Sequence, residues 1–324
     1  MHSALDRLIV TLAGAWAWVR HPRLVWLFRQ RVERFPGLGR PLGFNDKILW
    51  RKIFDHNPLF VTFSDKVACK AWLRARCPEL PVATLLWSGE RPEAIPDGIL
   101  RPGVVVKARG GCNLLRFIET GDAQDREVLN AGLQTLLHWE FGAKHGEWAY
   151  SRVPAGLLVE ERLGDASGSP LIDLIVFTFG KRVELIVATL GEKTPAERVG
   201  LFDREGRRIA NASLKRALPG QRLPEDFVLP CDPAVLGRWS AEIAGDLDFV
   251  RVDFMWADGQ LHGCEVTAYP GSGYKRYQDP SLSDDLSAAW DLRRSWFLST
   301  PQQGWRGIYA RALGRLLDAD PGGP

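Results

Sequence analysis

The stretch that most constrains the fold is FVRVDFMWADGQLHGCEVTAY, residues 249–269. Alternation through FVRVDF puts Arg251 and Asp253 on one face of a strand and Val250, Val252 and Phe254 on the other. Asp258 and Gly259 then turn the chain into a second strand, on which Gly263, Glu265 and Thr267 share a face. A hairpin with one apolar face has to be covered by a second layer, so an all-helical bundle is excluded. What its polar face carries depends on the turn. A two-residue Asp258-Gly259 loop opposes Asp253 to Cys264 and puts Glu265 on the wrong side. A three-residue loop, Ala257 to Gly259, opposes Asp253 to Gly263 and Arg251 to Glu265 and makes Asp253 and Glu265 diagonal neighbours. Carboxylates so placed repel unless a cation sits between them, and Mg²⁺ held with substrate phosphates fits, with the Thr267 hydroxyl as a further oxygen. The competing reading is a surface hairpin in which Arg251 neutralises both acids.

The other elements follow from pattern. FNDKILWRKIF and DKVACKAWLRARC read as two short helices with charged outer faces, the second capped by Ser64. Strands are expected at 82–87, 104–107 and 157–163, a hairpin over 171–190 turned at Gly180-Lys181, and helices over 123–141 and 234–247. Strands and helices in no regular alternation indicate an α+β fold with mixed sheets. At 324 residues, 45% hydrophobic and 25% charged, the chain suits a globular protein of two or three lobes.

Charge is uneven. Residues 1–40 hold seven arginines against only Asp6 and Glu33, while the whole chain is only +3, so the body is slightly acidic and no nucleic-acid partner is expected. The apolar run 8–19 falls short of the ~20 residues that span a bilayer, and the segment lacks a signal-peptide cleavage site. Trp16, Trp18, Trp26 and Phe28 among Arg20, Arg23 and Arg29 suit a helix at a membrane surface or one docked on the body. Five cysteines without CxxC or zinc spacing point to a reducing cytoplasm, with Cys112 and Cys264 read as small fillers.

In VVVKARGGCN an apolar, central strand releases Lys107 beside Gly110 and Gly111. Glycines let backbone N–H groups approach an anion and a lysine adds a point charge, which suits a phosphate chain; the stretch is neither GxxxxGK[ST] nor GxGxxG. LVEERL ends a strand at Glu160-Glu161, offering backbone groups to a purine edge and a carboxylate to ribose.

In this order, FNDKILWRKIFDHNPLF, SDKVACKAWL, VVVKARGGCN, LLVEERL, DLIVFTFGKRVELI, ERVGLFDREG and FVRVDFMWADGQLHGCEVTAYPGSG resemble the blocks of the TupA-like ATP-grasp family, linked to bacterial surface-polysaccharide biosynthesis. The resemblance implies an α+β ATP-grasp fold, with sheets of two lobes clasping a nucleotide. It divides the chain into a basic helical arm (1–43), a helical α/β subdomain (44–100), a small lobe with a Gly-rich lid (101–164) and a C-terminal lobe with the metal site (165–324). It implies Lys66 and Lys107 on the phosphates of ATP, Gly110 and Gly111 in the lid, and Glu160 or Glu161 beside adenine and ribose. Asp253 and Glu265, with Thr267, would be Mg²⁺ ligands. Arg251 would stabilise an acyl phosphate or its tetrahedral successor, and Arg198 and Asp203 would orient substrate. Two departures stand out: Ile175 where the pattern carries a lysine, and Thr267 where many ATP-grasp enzymes place an asparagine.

The function so implied is a cytoplasmic carboxylate–amine ligase using ATP and Mg²⁺, joining an amine or amino acid to an acidic sugar, with residues 1–40 touching the inner membrane surface. The rival readings are a kinase with Asp203 as base, a metal-dependent glycosyltransferase, and a degenerate nucleotide-binding module.

Overall fold

A computed structural model describes residues 4–138, 141–164, 171–192, 194–209, 221–276 and 279–319. Two helices, α1 (Ala4–Arg20) and α2 (Pro22–Val32), precede α3 (Phe44–Ile53), α4 (Leu59–Ser64) and α5 (Lys66–Arg76). Then come β1 (Leu85–Gly89), β2 (Val104–Ala108), β3 (Leu115–Phe117), α6 (Arg126–Gln134), α7 (Phe141–His145) and β4 (Leu157–Glu161). The C-terminal part holds β5 (Ile172–Phe179), β6 (Arg182–Leu190), β7 (Arg198–Phe202), α8 (Pro233–Ala244), β8 (Val250–Ala257), β9 (Gln260–Thr267), α9 (Pro280–Ala289), α10 (Trp296–Ser299) and α11 (Gly304–Ala319). Four strands form one sheet in the order β1-β4-β2-β3 and five form another in the order β7-β6-β5-β8-β9. Every pairing between these strands is antiparallel. The small sheet has its own core with α6, around Val104, Val106, Leu129, Leu133, Leu157 and Val159. A larger core joins the five-stranded sheet to α1–α5 and the C-terminal helices.

The expected helices at the front of the chain form, but α3 has no charged outer face: all ten of its residues are buried. Its charged side chains end on backbone carbonyls or on fixed partners. Lys47 donates to Ser287 O and Trp290 O, both at 2.7 Å, and Asp46 accepts from Gly37 N at 2.7 Å and from Arg34. Nor does Ser64 cap the next helix. Its hydroxyl donates back to Phe60 O at 2.8 Å, and Asp65 is the cap, accepting from Val67 N at 3.0 Å.

Arg51 is the hub. Fully buried, it donates to Phe249 O (2.9 Å) and Ala268 O (3.2 Å) at one end of the β8–β9 hairpin and to Asp248 Oδ1 (2.6 Å). Trp290 Nε1 holds the other Asp248 oxygen at 2.6 Å, and Asp55, 3.4 Å from Arg51 Nε, accepts from Phe297 N at 2.8 Å. The guanidinium also faces the rings of Trp290 and Phe60, at 4.5 and 4.8 Å. One side chain of α3 therefore fixes the large sheet and the C-terminal segment together.

The β8–β9 hairpin corrects the expected turn. Ala257 pairs with Gln260, so the loop is the two-residue Asp258-Gly259, both at positive φ. Such a loop puts Glu265 on the wrong side, and a bulge at Cys264 reverses this: Phe254 pairs with Gly263 but Asp253 pairs with Glu265, and Arg251 with Thr267. Asp253 and Glu265 are thus directly opposed, not diagonal. The bulge arises where Gly263 N donates to Pro81 O at 2.8 Å instead of to the ladder, and where an added Cβ would stand 2.9 Å from Leu80. Cys264 is the extra residue, and burial pushes its thiol up to about 12.

The arm docks on the body. α1 packs along α11, with Arg315 Nε donating to the buried Asp6 at 3.0 Å and the Trp16 ring 4.6 Å from Trp305. Its outer side leaves Leu5, Leu8, Leu12 and Val19 exposed, and Trp26 of α2 is exposed beside them. No described helix is long and apolar enough to cross a membrane.

Arg51→Ala strands two buried carboxylates and is expected to destabilise the protein by about 3–5 kcal/mol in urea unfolding. Burial, opposed by Arg51 and reinforced by Asp248, raises the Asp55 carboxyl from 3.8 to about 7. Its contribution to stability is therefore complete below pH 3.8 and is lost as pH rises through about 7. Asp55→Asn, which keeps the oxygen that accepts from Phe297, is expected to flatten that decline in urea midpoints measured from pH 4 to 8.

Candidate functional site

The site lies between the two sheets, with lysines around Glu160 on the small-sheet side and two carboxylates beside Arg251 on the large-sheet side. On the small-sheet side, β2 and β4 pair so that Lys107 and Glu160 share a face, and Lys107 Nζ lies 2.6 Å from Glu160 Oε1. Lys70 reaches the other Glu160 oxygen at 2.7 Å. Burial would raise the Glu160 carboxyl, but Lys107 and Lys70 outweigh it and hold it below its ordinary range. Burial lowers Lys107, and Glu160 more than compensates. Glu161, next along the strand, alternates to the other face; its N–H donates to Thr84 O at 3.0 Å and its carboxylate stands 4.0 Å from Arg101. Of the two acids, Glu160 is the one on the lysine side.

Lys66 opens α5 and donates to Gly111 O at 2.5 Å, tying the helix to the β2–β3 loop. That loop turns through Gly111 (φ 81) and Asn113 (φ 60), with both Gly110 and Gly111 buried. Arg109 anchors it by a fork of bonds to Asp65 at 2.7–2.9 Å and through backbone bonds to Lys66 N (2.9 Å) and Gly156 O (2.8 Å). Asp65, Lys70 and Arg109 were missed by sequence reasoning. Lys70 had a signal, because four residues after Lys66 on a helix is the same face.

On the large-sheet side the register builds rows across the strands. Leu201, Val187, Ile175, Asp253 and Glu265 form one, and Phe177, Arg251 and Thr267 belong to the next. Ile175 is thus the direct neighbour of Asp253, an apolar side chain where the family pattern carries a lysine. Arg251 bonds Asp253 through Nε (2.7 Å) and Nη2 (2.5 Å) and reaches the Thr267 hydroxyl at 3.2 Å, which lies 3.4 Å from Glu265 Oε1. Burial raises the Asp253 carboxyl; Arg251 opposes this and Glu265 adds to it. The two halves face each other closely enough that Lys66, lowered by burial, is held up by Glu265, and Lys107 also feels that carboxylate.

Glu147, another residue sequence reasoning missed, is buried and joins this centre. Ser272 donates to it, and Lys52 donates to Ser272 O at 2.6 Å, to its hydroxyl at 2.9 Å and to His145 O at 2.9 Å. Burial raises Glu147, while Lys52, then Ser272 and Arg251, pull it back. Ser272 is held at φ 58 between Gly271 and Gly273, a left-handed run that a non-glycine residue adopts only under constraint from its surroundings.

Arg198 and Asp203 are not brought into this cluster. Both belong to the β7 edge, three inter-strand steps from β8, roughly 14 Å. The Asp203 carboxylate organises the turn after β7, accepting from Glu205 N (3.0 Å), Arg207 N (2.9 Å) and Arg207 Nε (2.8 Å).

Asp253, Glu265 and Thr267 fit Mg²⁺: two opposed carboxylates and a hydroxyl form an oxygen donor set that substrate phosphates would complete. Among the described residues no group of three or more His, Cys, Asp or Glu could hold a metal ion alone. Two lysines on one glutamate with Lys66 tied to the neighbouring loop, facing Glu265 and an Asp253 held by Arg251, form an arrangement suited to a polyanion bound with a cation.

The TupA-like ATPgrasp family matches residues 46–288 of the chain. No curated protein matches it. Among solved structures, it is similar to a D-alanine–D-alanine ligase from Bacillus anthracis, at 16% identity and a TM-score of 0.39, over 81% of this chain and 70% of that one. It is also similar to the ATP-grasp ligase PsnB complexed with minimal precursor, at 15% identity and a TM-score of 0.36, over 69% of this chain and 59% of that one. For the macrocyclase MdnC bound with precursor peptide MdnA from Microcystis aeruginosa MRC the values are 11% and 0.36, over 80% and 63%.

Glu160→Gln leaves Lys70 and Lys107 facing each other without a counter-charge and is expected to destabilise by about 2–4 kcal/mol. Combined with Lys107→Met, the loss in urea unfolding should fall short of the sum by about 1–2 kcal/mol, because the two share one interaction. Since Glu160 is held below its ordinary 4.5, its contribution is present above that pH and lost as pH falls below it; the acid-side loss should shrink in Glu160→Gln.

Proposed function

Because the chain belongs to the TupA-like ATP-grasp family, we propose that it is an ATP-dependent carboxylate–amine ligase acting through an acyl phosphate. The observation that carries the reading is the gathering of Lys66 and Lys70 of α5 with Lys107 of β2 around Glu160 and the β2–β3 loop, with α5 packed on β9, the strand that carries Glu265. Lysines on one wall and carboxylates on the other suit the phosphates of ATP and the cation that accompanies them.

Lys66 and Lys107 bind the phosphates, Lys66 exchanging the Gly111 carbonyl for a phosphate oxygen. Gly110 and Gly111 bring the β2–β3 loop over them and exclude water. Glu160 keeps Lys107 charged and aimed and stands beside the nucleotide with the backbone around Glu161. Asp253, Glu265 and Thr267 would hold Mg²⁺, which would supply neutralisation of charge on the phosphoryl group. A substrate carboxylate oxygen bonds to the γ-phosphorus as the bond to ADP breaks. The amine nitrogen then bonds to the acyl carbon as the bond to phosphate breaks, its proton passing to phosphate or water. Arg251, opposite Thr267 and next to Asp253, stabilises the oxyanion of that second step. Arg198 and Asp203, on the outer strand, would act on a part of the substrate remote from the reacting bond.

We take the substrate pair to be an amine or amino acid and an acidic sugar of a bacterial surface polysaccharide, as the family resemblance implies. The enzyme would work in the cytoplasm with its arm against the inner membrane surface. The exposed Leu5, Leu8, Leu12, Val19 and Trp26, flanked by arginines, support that placement.

Mg·ATP is expected to raise the thermal midpoint of the wild type, adding about 2.7 kcal/mol of stability at a hundredfold excess over Kd, and to leave Lys107→Ala and Asp253→Asn unmoved. A shift with Mg·UDP-sugars alone would sink the ligase reading. Phosphate release should then require a carboxylate and an amine together, since a kinase would turn over without the amine. Leu8→Glu with Leu12→Glu is expected to abolish co-sedimentation with anionic vesicles at an unchanged thermal midpoint; undiminished binding would remove the membrane role.

A further inference from the structure

A second concavity lies at the elbow between α1 and α2, where the arm meets the body. Arg20, His21, His56 and Arg306 line it together with Trp16 and Trp148, and its volume is about 390 Å³. That falls within the range of about 300–1,000 Å³ typical of small-molecule pockets. Among the described residues no carboxylate lines it. Arg306 donates to Phe54 O at 2.6 Å and lies 5.1 Å from the Phe297 ring centre, and neither it nor Arg20 has a carboxylate partner among the described residues. His56 Nε2 donates to Lys52 O, 3.0 Å away, and the ring packs against Trp148 with ring centres 4.5 Å apart.

These groups feel one another's charge. Burial lowers His56, and the Lys52 carbonyl opposes it, but Arg306 and His21 lower it further. Burial, then Arg20, lowers His21, and burial lowers Arg306. Lowered below their ordinary value, the two histidines are neutral at pH 7, and it is Arg20 and Arg306, with Lys52 in the wall, that raise the potential of this apolar-walled hollow for anions, while the tryptophans offer flat faces with little rotamer freedom to lose.

We propose that this cavity binds an oxyanion, a carboxylate or phosphate, carried on a sugar-sized ring that lies against Trp16 and Trp148. Lys52, also in its wall, connects it through Ser272 to Glu147 and so to the Arg251 centre. The cavity is nonetheless distinct from the lysine–carboxylate site, and the inference does not rest on the nucleotide reading.

Calorimetric titration of the full chain with glucuronate, inorganic phosphate and glucose tests it. The wild type is expected to bind glucuronate and not glucose. Arg20→Gln and Arg306→Gln should each weaken that binding about tenfold, the loss of one charge-assisted hydrogen bond, while Arg306→Lys retains most of it and Lys107→Ala all of it. Circular dichroism checks each fold, and Arg20→Gln, at an exposed position, carries the test if Arg306→Gln unfolds. Binding confined to phosphatidylglycerol vesicles over phosphatidylcholine, and lowered by both arginine substitutions, would identify a lipid headgroup as the source of the oxyanion. No anion binding in either arm, or binding lost in Lys107→Ala and kept in Arg20→Gln, would overturn the proposal.

Discussion

The buried Arg51 guanidinium is the interaction on which the rest of the structure depends. It holds the end of the β8–β9 hairpin through Phe249 O and Ala268 O, and holds the C-terminal segment through Asp248 with Trp290 and Asp55 with Phe297. A charge so deep is tolerated only when it is paired and hydrogen-bonded, as the bonds of Nη1 and Nη2 and the neighbouring Asp55 make it here, which gives the arrangement little freedom to shift. The two adjacent pairs, Arg251 with Thr267 and Asp253 with Glu265, begin two residues from Phe249 and end one residue before Ala268. The position of the acidic half of the site is therefore inherited from a contact that takes no part in its chemistry.

The lysine half is built on a different support. Asp65 caps α5, clamps Arg109, and so fixes Lys66 against the β2–β3 loop, while the register of β2 on β4 fixes Lys107 against Glu160. This half spans both cores, with β2 and β4 resting on the small one around Val104 and Val159 and α5 on the large one that also carries the acidic half. Lys70 with Glu160 and Asp65 with Arg109 bridge from α5 to the small sheet, so the link between the two cores at the cleft is polar, which suits a cleft that must admit a nucleotide and then exclude water.

The arm combines two roles in one pair of helices. Its inner face is core, with Ala17 and Phe28 fully buried, so removing it would open the protein instead of trimming it. The elbow between its helices supplies Trp16, Arg20 and His21 to the cationic cavity, and its outer face carries the exposed leucines. A basic, tryptophan-rich segment thus reads in sequence as a membrane anchor or a docked helix, and in structure docking is one face of it.

The sequence alone determined what is local. Period-two alternation put Arg251 and Asp253 on one face, the apolar run before Lys107 marked an interior strand, and Gly180-Lys181 and Asp258-Gly259 marked hairpin turns. The order of motifs carried the family. Only the tertiary structure decided what depends on a partner distant in sequence. The bulge at Cys264 exists because segment 80–81 captures the Gly263 N–H, so no count along the hairpin could have opposed Asp253 to Glu265. Glu160 was separated from Glu161 by Lys70 and Lys107, Glu147 was recruited through Ser272, and the charges of α3, outward-facing by pattern, were buried because carbonyls and carboxylates far along the chain receive them. Periodicity records which way a side chain leaves its own backbone; what waits for it there is set by segments that meet only when the chain is folded.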